Sequence, residues 1–108
     1  VADATRPGVV LEKVQAATGG ALCDVVINCG NVPRTEMASI LSVRDRGTVI
    51  FFSTATSFTA AALGAEGVGK DADLLIGNGY AHGHADLTLD LLRTHPRLRA
   101  LFEERYAR

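Results

Sequence analysis

Cysteine is scarce in this sequence: Cys23 and Cys29 are the two thiols it holds. Their spacing is not CxxC, which excludes a disulfide framework or a zinc ribbon and leaves reduced, partly buried thiols as the expectation. An excess of one charge sign is missing as well. Eleven Lys and Arg stand against twelve Asp and Glu, for a net charge of −1. Without a block of like charges, the chain has no electrostatic footprint for nucleic acid or for an anionic membrane. Long apolar runs are also lacking. The stretch 49–52 is among the longest, far short of the roughly 18 residues a membrane span requires. No charged-then-apolar leader precedes it, so a cytoplasmic setting is expected.

What remains is a composition suited to a packed core. A hydrophobic share of 47% and a charged share of 21% over 108 residues describe one globular domain rather than a disordered or fibrous chain. The opening "VADAT" begins at Val1 and reads as the tail of a strand already under way. A piece of something longer is therefore expected.

Local signals divide the chain into alternating elements. Pro7 suits a first helical turn, Val10, Leu11, Val14 and Ala17 recur at helical spacing, and Gly19 with Gly20 ends the run. Residues 24–29 read as a strand. Asn31 is then the expected cap of a second helix, with Pro33 in its first turn, a stripe of Met37, Ile40 and Leu41, and an end near Arg46 and Gly47. "TVIFFST" at 48–54 and "DLLIG" at 73–77 read as buried strands. The Ala- and Gly-rich segment between them predicts only a short helix around Phe58 to Leu63, with close backbone approach. Helices follow after Gly83 and from Pro96, and His95 marks their junction.

The spacing of the strands suits right-handed parallel crossovers. Strands apolar on both faces are the pattern of a parallel sheet covered by helices on both sides. The expected fold class is α/β, doubly wound. In such a sheet the segments following each strand gather along one edge, where open α/β folds bind ligands. That edge would collect Asn28, Cys29, Gly30 and Asn31, then Ser53, Thr54, Ala55 and Thr56, then Gly77, Asn78, Gly79 and Tyr80. Small polar groups there expose main-chain N–H and C=O to a flat guest such as a carboxamide-bearing ring. Asn and Gly are also ordinary turn formers, and that reading stands beside the first for each residue taken singly.

Other motifs carry less. "GNGYAHGHA" at 77–85 has His82 where GxGxxG needs its third glycine, and "GAEGVG" at 64–69 has its glycines in the wrong order, so neither is a persuasive phosphate cradle. His82 and His84 lack a third ligand nearby, so no metal site is expected. Cys29 has no paired base. Glu66, Asp71 and Asp73 lie near the edge region in this reading, as solvated surface groups. No side chain stands out as a proton-transfer residue.

"INCGNVP", "FFSTATSFTAAALGAEGVGKD" and "IGNGYAHGHA" resemble the L-erythro-3,5-diaminohexanoate dehydrogenase family, related to the medium-chain dehydrogenase/reductase group, and the resemblance covers nearly the whole chain. It implies that residues 1–108 are the second half of a Rossmann-type dinucleotide-binding domain, without its glycine-rich turn or a substrate domain. It implies NAD as cofactor and oxidative deamination of a 3,5-diamino acid to a 3-oxo-5-amino acid in lysine fermentation. Main-chain groups around Cys29, Gly30 and Asn31, then Phe52, Ser53 and Thr54, then Gly77 and Asn78, would border the nicotinamide end, orienting it rather than transferring protons. Zinc, used by some relatives, finds no ligand set. In the strand order 3-2-1-4-5-6 the strand at 24–29 would be the fourth, an interior one. Its open side implies a partner: a homodimer or the missing half of the domain. A medium-chain alcohol or quinone reductase sharing only the fold, and a non-enzymatic α/β association module, fit the same alternation.

Overall fold

The computed structural model describes residues 1–77 and 79–107. They fall into two compact units, Val1–Asn78 and Gly79–Arg108. The first contains α1 (Pro7–Thr18), β1 (Cys23–Asn28), α2 (Glu36–Ser42), β2 (Val43–Phe51), α3 (Phe58–Gly67) and β3 (Asp73–Ile76). The second is a pair of helices, α4 (His84–Thr94) and α5 (Pro96–Tyr106). Among the described residues no helix is long and apolar enough to cross a membrane.

The punctuation expected of α1 is present. Pro7 lies at its start and Gly19 closes it at φ 62°, a left-handed conformation that costs glycine nothing, while the Gly20 N–H donates to Gln15 O at 2.9 Å. His95 is the junction between the last two helices, with φ −123° and ψ 87°. Pro96 forces this, because its ring clashes with an α conformation in the preceding residue.

All three strands run parallel in the order β1-β2-β3, as a half of a doubly wound sheet should. The fold class expected from the alternation is borne out. Both crossovers, through α2 and α3, advance in the same direction across the sheet. Right-handed connections then place both helices on one face. That face holds the core: Ile40, Val43, Val49, Phe51 and Ala61 are buried, with Val26, Ala65, Ala72 and Leu74 packed against them. Complete burial of Phe51 alone contributes ~1.5–3 kcal/mol. The other face, carrying Val25, Ile27 and Leu75, is exposed. Coverage on both sides, expected from strands apolar on both faces, is therefore met on one side within Val1–Asn78. A half that is wound in a single direction can cover only one.

Three expected boundaries shift. Asn31 does not cap α2, which starts at Glu36 after Thr35. Arg34 adopts φ 67°, so the chain turns left-handed there and cannot enter a helix at Pro33. At its other end α2 stops at Ser42, and Val43 is already extended at φ −83° and ψ 142°. The segment that looked like the end of a helix instead forms a bulge in β2, where the register jumps from Cys23↔Val43 to Val25↔Thr48. Contacts distant in sequence hold this bulge. The Arg46 N–H donates to Asp71 O, the Asp71 N–H to Asp45 Oδ1 at 3.0 Å, and Lys70 Nζ to Val43 O at 2.7 Å. Gly47 sits inside it, where a Cβ would stand 2.6 Å from Val43 Cγ2 and 2.8 Å from Asp24 O.

The third shift concerns α3, which runs on to Gly67 although a shorter helix ending near Leu63 was expected. Ser57 caps it, its Oγ accepting from the Ala60 N–H at 3.2 Å. Ala61 and Gly64 are buried along it, and a Cβ on Gly64 would meet Met37 Cε at 3.2 Å and Ile40 Cδ1 at 3.3 Å. Close approach to α2 therefore offsets the low helix propensity of glycine. The close approach itself was legible in the small residues.

Candidate functional site

The ladder aligns Asn28, Phe51 and Ile76 across the sheet. Pairing continues one step beyond: the Phe52 N–H donates to Asn28 O at 2.8 Å, and the Gly77 N–H to Phe51 O at 3.2 Å. Cys29, Phe52 and Gly77 therefore leave the sheet side by side at one edge. This convergence follows from the parallel register, which brings the three strand ends level.

Each strand end then differs in detail. Cys29, Gly30 and Asn31 are exposed, so the expectation of a partly buried thiol holds for Cys23 and fails for Cys29. Cys29 lies past the last paired residue of the edge strand, where no helix covers it. After Phe52 the chain makes a tight turn: the Thr56 N–H donates to Ser53 O at 3.2 Å and the Ala55 N–H to Ser53 Oγ at 3.1 Å. Ser53 is half-buried by this and Thr54 points outward. Asn78 lies outside the described residues, and Gly79 and Tyr80 belong to the second unit.

The glycines at this edge are informative. Neither Gly30 nor Gly77 has a left-handed φ, so the turn geometry does not demand glycine at either. A Cβ at Gly77 would meet nothing within 4 Å, and one at Gly30 only Asn28 Oδ1 at 3.9 Å. Open backbone at both positions suits the approach of a flat ligand, which a side chain would obstruct.

Beneath the exposed tips lies a polar cluster that sequence reasoning did not single out. Asn28 Nδ2 donates to Thr35 Oγ1 at 2.8 Å and to Ser39 Oγ at 3.0 Å. Those hydroxyls donate onward, Thr35 to Val32 O at 3.3 Å and Ser39 to Thr35 O at 3.2 Å. Nearby, Glu36 is buried and its Oε1 accepts from the Ser57 N–H at 2.8 Å. The four-residue spacing of Thr35 and Ser39 on one helical face was the available signal. It was hidden because α2 was expected to begin earlier, at Asn31, which removed any reason to regard Thr35 as a terminus.

Two concavities flank the edge. A cleft of about 290 Å³ is lined by Val10, Val26, Asn28, Gly30, Val32 and Ala38 among others, at the tip of β1. A second, of about 430 Å³, is lined by Ile50, Phe52, Leu74, Leu75, Ile76 and Gly77.

Several sequence candidates lie elsewhere. Asp71 and Asp73 are at the start of β3, the end of the sheet opposite to the tips, so their expected place near the edge is corrected: a parallel strand separates its two ends by its full length. Glu66 is exposed near the end of α3. His84 is in the second unit, where Nδ1 lies 2.9 Å from Ala81 O and the ring stacks on Tyr80 at 4.7 Å between centroids. Among the described residues no group of three His, Cys, Asp or Glu could hold a metal ion.

No family model matches the chain. Two curated proteins do, both named L-erythro-3,5-diaminohexanoate dehydrogenase. The one from Acetoanaerobium sticklandii is 58% identical over 106 residues, which is 98% of this chain and 31% of that protein. The one from Fusobacterium nucleatum subsp. nucleatum is 53% identical over the same shares of the two chains. The resemblance carried by the strand-end motifs is thus borne out: this chain is similar along 98% of its length to L-erythro-3,5-diaminohexanoate dehydrogenases, and spans about 31% of theirs.

Proposed function

We propose that this chain is the nicotinamide-side half of the cofactor-binding domain of an NAD-dependent amine dehydrogenase. The reaction is the oxidative deamination of L-erythro-3,5-diaminohexanoate to 5-amino-3-oxohexanoate in lysine fermentation, in the cytoplasm. The observation that carries this reading is identity of 58% and 53% to proteins of that name. The parallel alignment that brings Cys29, Phe52 and Gly77 to one edge agrees with it.

The residues present fit a dinucleotide at that edge. Gly30 and Gly77 leave main-chain groups uncovered, and the strand ends form the crevice where open α/β sheets take their ligands. In the proposal, main-chain groups around Cys29, Gly30 and Asn31, around Phe52, Ser53 and Thr54, and at Gly77 and Asn78 hold the nicotinamide end. The chemistry a bound nicotinamide would supply is that of a hydride acceptor: the amine-bearing carbon would give up a hydride, and hydrolysis of the resulting substrate imine would release ammonia. The contribution of these residues is orientation and exclusion of water from one side of the ring.

The phosphate-binding and substrate-binding parts are assigned to the two thirds of the relatives' length that this chain does not span. The open edge of β1 is the place for a strand from that remainder or for a second copy of the chain. The test is activity of the complete protein with NAD and either 3,5-diaminohexanoate or simple alcohols. Ammonia release with reduction of NAD is expected, and hydride transfer from alcohols alone would move the protein to the alcohol or quinone reductases.

A further inference from the structure

Resting on that dehydrogenase reading, we infer that Asn28 is a binding residue whose Oδ1 accepts a hydrogen bond from the carboxamide N–H of the bound nicotinamide. An asparagine amide has one end that donates and one that accepts. Asn28 turns its NH₂ to the Thr35 and Ser39 hydroxyls, at 2.8 Å and 3.0 Å. Those hydroxyls have carbonyl acceptors of their own within reach, Val32 O at 3.3 Å and Thr35 O at 3.2 Å, which agrees with both oxygens accepting from Asn28.

Oδ1 is left as an acceptor on the opposite side, toward Gly30, the residue whose absent side chain keeps the approach open. It is not a buried orphan, since no buried polar side-chain atom among the described residues lacks a partner. It is reachable. A lone acceptor held rigid by two helix hydroxyls resembles the preorganised polar group of a ligand site more than a solvated surface amide.

The cleft around it selects among donors. Its lining is largely apolar and contains no carboxylate. An ammonium group would lose hydration there against a single neutral acceptor, which is costly. A planar ring carrying an amide N–H loses much less. The place also agrees, because the cleft lies at the carboxyl end of β1 along its open edge, and in the dinucleotide-binding strand order that edge faces the topological switch point.

The experiment compares, in the complete protein, the Kd of NADH with that of the reduced 3-acetylpyridine analogue, in which a methyl group replaces the carboxamide NH₂. Fluorescence titration reads both without turnover. The native protein is expected to favour NADH, and Asn28→Ala to reduce that preference by about 3- to 10-fold, the range for one neutral hydrogen bond. A merely structural role would weaken both cofactors by the same factor and overturn the inference. Thr35→Val, which keeps Asn28 and nearly the same shape while freeing its amide to turn, should lose part of the preference. If Asn28→Ala does not fold, an unchanged preference in Thr35→Val overturns the inference. A raised KM for the diamino acid with an unchanged cofactor ratio would assign Oδ1 to the substrate instead and also overturn it. Failure of the complete protein to bind either cofactor would sink the dehydrogenase reading itself, a result distinct from binding both without preference.

Discussion

Glu36, at the start of α2, accepts a hydrogen bond from the Ser57 backbone N–H at 2.8 Å, so the helix after the first strand holds the entry to the helix after the second. The carboxylate is buried, and Ser57 in turn caps α3. Removing the acceptor takes away this part-buried hydrogen bond, at a cost of ~1 kcal/mol, the net worth of a typical hydrogen bond. Glu36→Ala should lower the urea midpoint of the 108-residue chain accordingly and speed amide exchange over 53–60. Glu36→Gln keeps an accepting oxygen and should lose less than half as much.

Gly47 and Gly8 make a matched pair of opposite sign. A Cβ at Gly47 would collide with Val43 Cγ2 and with the backbone carbonyls of Asp24 and Arg44 at 2.6, 2.8 and 2.9 Å. Backbone cannot move aside as the end of a side chain can, and Gly47→Ala should destabilise by ~1–3 kcal/mol. At Gly8, in the first turn of α1, a Cβ meets nothing within 4 Å, so Gly8→Ala should stabilise by ~0.5 kcal/mol or less, the first turn feeling helix propensity less than the interior. Urea denaturation of both variants checks the contrast.

Phe51 and Ile27 share a sheet but face opposite sides of it, with relative exposures of 0% and 63%. Phe51→Ala empties part of the core and should cost ~3–5 kcal/mol. Ile27→Ala removes a side chain already largely in water, so the same measurement on the 108-residue chain should show ~1 kcal/mol or less.

Asp3 provides a pH signature local to the N-terminal turn. Hydrogen bonds from the Thr5 hydroxyl at 2.7 Å and, second, from the Thr5 N–H at 2.9 Å favour its charged form and hold its pKa below the ordinary 3.8. A depressed folded pKa means that the stabilisation is present above the unfolded value and is lost as pH falls through the folded one. An NMR titration should place Asp3 below the ordinary value, and Thr5→Ala should move it back upward.

The site was legible in outline because its outline is local. Polar, small residues following three β-rich runs can be read directly, and once the strands are parallel the tips must meet. Asn28, Thr35 and Ser39 were present in the same stretch, yet their cooperation depends on where α2 begins, and that was misplaced by several residues. The left-handed Arg34 decides the start, a conformation that its residue type does not announce.

The sequence by itself determined the alternation of helices and strands, the direction of the sheet and the edge at which small polar groups collect. Each follows from short-range signals such as Pro7, Gly19 and Pro96, the branched apolar runs, and crossovers long enough for parallel pairing. Only the tertiary structure decided that residues 43–47 leave the helix to form a bulge, that α3 extends past Gly64, and that one sheet face has no helix on it within Val1–Asn78. Those outcomes depend on partners far along the chain: Asp71 and Lys70 for the bulge, Met37 and Ile40 for α3. They depend also on the handedness of two crossovers, which sends both helices to the same side.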